Sequence, residues 1–112
     1  MNKFAIIGLG AFGVRMLEEL LLFTDEVIII DKDPNLIKKY ENKTVKGYTV
    51  NIIDEESLRK SIPQRIGTAI VDLGGRIELS LMVTKYLKQL GIKEIVVKAE
   101  TDQHEHLLLM VG

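Results

Sequence analysis

The run Val27-Ile28-Ile29-Ile30 constrains this chain more than any other stretch: four apolar β-branched residues in succession, with no polar alternation. Successive side chains of a strand point to opposite faces, so such a strand is buried on both of them, which a parallel sheet flanked by helices provides. Phe4 to Ile7 and Thr68 to Val71 are runs of the same kind, and Glu94 to Lys98 reads as a further strand. A shorter strand is expected at Val45 to Val50, where the interior Gly47 suggests a bulge.

Helical patterns fill the intervals. From Phe12 onward, Met16, Leu17, Leu20 and Leu21 recur at helical spacing to about Phe23. Asp33 as N-cap and Pro34 at the first helical position open a second helix that should run to about Glu41 or Asn42. Asp54 caps a short helix to Ser61, and Pro63 breaks it. Ile77 to Leu90 is a long helix ended by Gly91 at C′, and Asp102 is expected to cap the last one, with Glu105 completing a capping box. Strand and helix thus alternate about every 20 residues, which predicts a doubly wound, Rossmann-like α/β fold with parallel strand order 3-2-1-4-5 and right-handed crossovers. Residues 1–112 read as one domain, long enough to own a core.

Composition narrows the function classes. A net charge of −1 offers no electrostatic handle for nucleic acid or anionic lipid. The absence of cysteine removes disulfides, thiolate catalysis and Cys-based zinc sites, and makes a cytoplasmic compartment the simplest reading. No apolar run approaches the roughly 18 residues of a membrane span, and no signal-peptide pattern opens the chain, so no direct membrane insertion is expected.

The first strand leads into Gly8-Leu9-Gly10-Ala11-Phe12-Gly13, a G-x-G-x-x-G pattern between a strand and a helix. In a dinucleotide fold the first glycine makes the turn, the second lets the backbone approach a pyrophosphate, and the third allows the helix to pack on the strand, with phosphate meeting the helix N-terminus. The pattern requires an acidic residue about 20 positions on for the ribose hydroxyls, and Asp31 stands 18 residues after Gly13, with Lys32 beside it. The competing reading is an ordinary turn, with Asp31 opening the Asp-Lys-Asp-Pro segment; Asp33, however, already fills the capping role. In such sheets ligands sit beyond the carboxyl ends of the strands, which adds Asn51-Ile52, Leu73-Gly74-Gly75 and Lys98 to the candidate site. Asp72, Glu78 and Glu100 read as isolated surface or strand-end charges, and Lys38 to Lys43 as a solvated helix end. His104-Glu105-His106 does not read as a metal site, because residues two apart on a helix face different ways; His104 is expected to be solvated or to line the nucleotide edge.

These residues resemble the N-terminal nucleotide-binding domain of the regulators of potassium conductance, the RCK or TrkA-N family, over essentially the whole chain. Gly8-Leu9-Gly10-Ala11-Phe12-Gly13 is similar to that family's G-L-G-x-F-G, and Asp31 to its acidic residue after the second strand. The Asn51 region, Val97-Lys98-Ala99 and His104 also fall on family-like positions. The resemblance implies a site for NAD(H) or an adenosine nucleotide (ATP, ADP or AMP). It implies a homo-oligomer, a dimer or a larger ring, and a membrane potassium transporter as partner, held at the inner face of the membrane. It implies regulation and not catalysis; the alternative is the cofactor half of a small NAD-dependent oxidoreductase. The chain departs from the family at Asn51-Ile52, at Arg76 where a small polar residue is usual, and at Ala11 where some ATP-responsive members carry a phosphate-reaching arginine. Gly112 stands where members usually continue into a sixth strand and often a second domain, a continuation this chain is expected to lack. Leu79, Met82, Val83, Tyr86, Leu87 and Leu90 on one broad helix face, with Ile77 and Leu81 besides, and the run Leu107 to Val111, are more apolar surface than one sheet face covers, which predicts self-association.

Overall fold

A computed structural model describes residues 3–43, 46–63 and 65–111. Five strands, β1 (Lys3–Ile7), β2 (Val27–Asp31), β3 (Lys46–Thr49), β4 (Ile66–Val71) and β5 (Glu94–Val97), form one sheet of order β3-β2-β1-β4-β5. All four pairings are parallel. The helices are α1 (Ala11–Leu20), α2 (Pro34–Tyr40), α3 (Glu55–Ser61), α4 (Ile77–Gln89) and α5 (Asp102–Val111), with one 3₁₀ turn at Glu41–Lys43.

The unalternating strands are buried on both faces, as their composition requires. Ile6, Val27, Ile29 and Ile70 pack with Leu17 of α1 and Ile37 of α2 on one face. Ala5, Ile7, Ile28, Ile30, Ala69 and Val71 pack with Leu58 of α3 and with Leu79, Val83 and Leu87 of α4 on the other. Leu17 is fully enclosed, and truncating it to alanine would cost about 2 to 5 kcal/mol.

Three local expectations change. The register of β2 on β3 runs unbroken from Ile28↔Lys46 to Asp31↔Thr49, so Gly47 makes no bulge. A Cβ there would lie 2.9 Å from Ile37 Cγ2 and 3.0 Å from Glu41 Cβ, so this glycine lets α2 approach the sheet. Val45, expected at the head of this strand, lies outside the described residues. The α5 cap is Thr101, whose hydroxyl accepts from the His104 N–H at 3.0 Å; Asp102 is the first helical residue and no capping box forms with Glu105. Helix α1 ends at Leu20, short of Phe23, which is exposed.

Other punctuation follows the sequence. Asp33 accepts from the Asn35 N–H at 2.9 Å with Pro34 next in line, and Asp54 accepts from Glu56 and Ser57. Gly91, at φ +83°, closes α4 in a Schellman turn, with its N–H on the Lys88 carbonyl and that of Ile92 on Leu87. Among the described residues no helix is long and apolar enough to cross a membrane.

Candidate functional site

Strand order reverses between β1 and β4, and a cleft of about 290 Å³ opens there at the carboxyl ends of the strands. The loop after β1 contributes Gly8, Leu9 and Gly10 to its walls, and the end of β2 contributes Asp31 and Lys32. The segment after β4 contributes Asp72, Leu73, Gly74 and Arg76, and Leu36 and Ile52 close the sides.

Asp31 is half-buried and holds two turns together. Its Oδ2 accepts from the Leu9 N–H at 2.7 Å and its Oδ1 from the Asp33 N–H at 2.9 Å. An ionised carboxylate offers about four acceptor positions, so capacity for two more hydrogen bonds remains. The helix cap is Asp33, which leaves Asp31 to face the loop rather than to start α2.

The three glycines answer to contacts within the fold. Gly8 has φ +94°, and a Cβ on it would run into the Asp72 carbonyl oxygen. A Cβ on Gly13 would run into the Gly8 carbonyl, so α1 packs on the end of β1 through hydrogen atoms alone. A Cβ on Gly10 would lie 2.5 Å from Asp72 Oδ2. The register Ile7↔Val71 sets Asp72 directly across from this loop, and the Asp72 N–H donates to the Ile7 carbonyl at 2.9 Å.

Of the two readings the sequence allowed for Asp72, surface or strand-end charge, the strand end is right, directly after β4, and the surface is not. Asp72 is 6% exposed, and its Oδ2 accepts from the Gly13 N–H, the third helical residue of α1, at 2.9 Å. This is an N-cap supplied from 59 residues away. The N–H groups of Gly10, Ala11 and Phe12 have no acceptor among the described residues, as expected of a helix start open to an anion.

A family model of the TrkA-N domain matches residues 4–112. The chain belongs to the TrkA-N domain family. It is 33% identical over 111 residues to the Ktr system potassium uptake protein C of Bacillus subtilis, an alignment that takes in 99% of this chain and 50% of that protein, so the chain spans about half the length of such a relative. Among solved structures, the NAD(P)-binding domain of an exopolyphosphatase-related protein from Archaeoglobus fulgidus superposes with a TM-score of 0.81 at 20% identity, over 100% of this chain and 84% of that one. The TrkA-N domain of the inner membrane protein ybaL from Escherichia coli gives 0.80 at 20% identity, over 99% and 82%. Those two likenesses concern the fold.

Within this TrkA-N domain, not every residue singled out in the sequence reaches the cleft. Asn51 is exposed and spends its side-chain oxygen on the Ile53 N–H at 3.2 Å. Gly75 lies in the turn before α4, away from the walls. Lys98 extends the ladder through its N–H to the Val71 carbonyl, and its ammonium turns to the Ala99 carbonyl and to Glu100 at 3.5 Å. His104 is neither solvated nor at the cleft. It is fully buried between α4 and α5, its Nδ1 accepting from the Glu100 N–H and its Nε2 3.0 Å from Ser80 Oγ. Because Nδ1 accepts there, the ring proton sits on Nε2 and is donated to the serine. Arg76, noted in the sequence only as a departure, is an exposed cation on the cleft rim. Its position just before α4, beside two glycines at a strand end, was the available signal.

Proposed function

We propose that this TrkA-N domain is the nucleotide-sensing part of a regulatory subunit of a potassium uptake system, binding NAD(H) or an adenosine nucleotide at the Gly8–Gly13 loop and acting by ligand-biased conformation instead of turnover. The observation that carries the reading is Asp31, a carboxylate at the cleft mouth pinned by the loop's own Leu9 N–H, with acceptor capacity left over. It would accept the ribose hydroxyls, while the Gly10, Ala11 and Phe12 N–H groups would meet phosphate. Family membership supports the regulatory role, and the potassium uptake protein of Bacillus subtilis supports a membrane potassium transporter as partner. On this reading the protein works in the cytoplasm, at the inner face of the membrane.

The surface supports self-association. Ile53 and Met82 are each 57% exposed beside an apolar groove between α3 and α4, and Leu109 and Met110 on α5 are each 73% exposed. Covering these with a second copy removes apolar area from water.

The deciding experiment is a thermal-shift series with NAD, NADH, NADP, ATP, ADP and AMP. A ligand at about 100 times its dissociation constant adds about 2.7 kcal/mol, a rise of several degrees in a domain of this size. The expected result is stabilisation by unphosphorylated-ribose nucleotides over NADP, whose 2′-phosphate would face Asp31. Sustained, protein-proportional oxidation of NADH with keto acids would overturn the regulatory reading in favour of an oxidoreductase.

A further inference from the structure

Strand order sets the end of β2, the loop after β1 and the segment after β4 side by side along the cleft. A nucleotide whose ribose meets Asp31 and whose first phosphate meets the Gly10, Ala11 and Phe12 N–H groups therefore carries its second phosphate toward the β4 side. The dipole of α1 offers little there. It is worth about half a positive elementary charge and fades within the first turn, and the Asp72 carboxylate, 6% exposed and bonded to the Gly13 N–H at 2.9 Å, sets a full negative charge against it. A second phosphate needs a cation. Lys32 and Arg76 both line the cleft, Lys32 directly after Asp31 on the ribose side and Arg76 on the β4 side. The Arg76 backbone is fixed at the start of α4, its N–H donating to the Leu73 carbonyl at 3.3 Å and its carbonyl accepting from the Ser80 N–H at 3.0 Å. Its side chain is exposed and, among the described residues, has no carboxylate within ion-pair distance. A Cβ on Gly74 or Gly75, just before it, would meet no atom within 4 Å, so the turn leading to it is open. A guanidinium presents a planar fork that matches two phosphate oxygens at once.

Resting on the nucleotide site above, we propose that Arg76 is a specificity-determining residue of that site, the group that binds the second phosphate of a pyrophosphate, so that NAD(H), ADP and ATP are preferred over AMP.

The test titrates AMP, ADP and NAD by isothermal titration calorimetry, at fixed salt and with divalent cations chelated, into the full chain, Arg76→Ala and Lys32→Ala. Arg76 is exposed and belongs to neither packed cluster, so its truncation leaves the core intact. The wild type is expected to bind ADP at least about tenfold more tightly than AMP, and Arg76→Ala to lose at least about tenfold more affinity for ADP and NAD than for AMP. Lys32→Ala should lower AMP and ADP by similar factors. A wild type that binds AMP as tightly as ADP overturns the proposal, as does an Arg76→Ala that loses AMP and ADP equally or loses neither. A Lys32→Ala that narrows the ADP-to-AMP ratio as much as Arg76→Ala also overturns it, since diffuse positive charge would then set the preference. Failure of the underlying site looks different: no nucleotide binds the wild type, or Asp31→Ala leaves every affinity unchanged, and the proposal falls with it.

Discussion

Two carboxylates at the ends of the two strands that flank β1 serve one glycine loop in different ways. Asp31, the last residue of β2, is half-buried, joins Leu9 to Asp33, and keeps acceptor capacity toward the cleft. Asp72, after β4, is buried and directed into α1, and the Cβ positions of Gly8 and Gly10 are blocked by its backbone and carboxylate respectively. A glycine pattern associated with phosphate is thus enforced here by a neighbouring strand as well. Glycines at such a loop follow from close packing, and a ligand is held by groups that retain unused hydrogen-bonding capacity.

The largest effect that would test this contrast is at Gly8. Gly8→Val places a β-branched side chain at φ +94° against the Asp72 carbonyl, and the expected loss is at least about 4 kcal/mol, measured by urea denaturation. A folded variant of near-native stability would mean that β1 and β4 do not meet as described. For the same reason Gly10→Val is a poor probe of phosphate approach, because it strikes Asp72 whether or not a ligand binds.

Next in size is the contrast between the two aspartates in the ligand-free protein. Asp72→Ala leaves the buried Gly13 N–H without its acceptor and is expected to cost about 1 to 3 kcal/mol. Asp31→Ala breaks two part-buried bonds, from the Leu9 and Asp33 N–H groups, and should cost about 1 kcal/mol. Equal losses by chemical denaturation would erase the distinction between cap and recognition group. Ligand binding should rank them otherwise: Asp31→Ala weakens an adenosine nucleotide by at least about tenfold, since charge-assisted bonds to the ribose are removed.

The smallest effect concerns Asp54, the cap of α3, whose carboxyl is held below the ordinary value of 3.8 mainly by the Ser57 hydroxyl and also by the Ser57 and Glu56 N–H groups. A depressed carboxylate contributes stability at neutral pH and loses it as pH falls through its folded-state value. Carbon-13 NMR should show Asp54 titrating at lower pH than a free aspartate, and Ser57→Ala should move it back upward. An unchanged midpoint in Ser57→Ala would remove the hydroxyl from the cap.

Much of this protein is determined locally and could be read from the residues in order. Unalternating β-branched runs require two covered faces, Asp33-Pro34 and Gly91 set helix ends through their own backbone geometry, and the distance from Gly13 to Asp31 is one helix plus one strand. What the tertiary structure alone decided involves partners distant in the chain. Asp72 becomes a buried cap because the order β1-β4 and the register Ile7↔Val71 lay it against a loop 59 residues earlier. His104 is buried because α5 packs on α4 and brings Ser80 to it from 24 residues away. Gly47 is small for the sake of Ile37 on α2 and Glu41 in the 3₁₀ turn after it, not for its own strand. A polar residue's role depends on which donor and which dielectric surround it, and strand order and helix packing supply both.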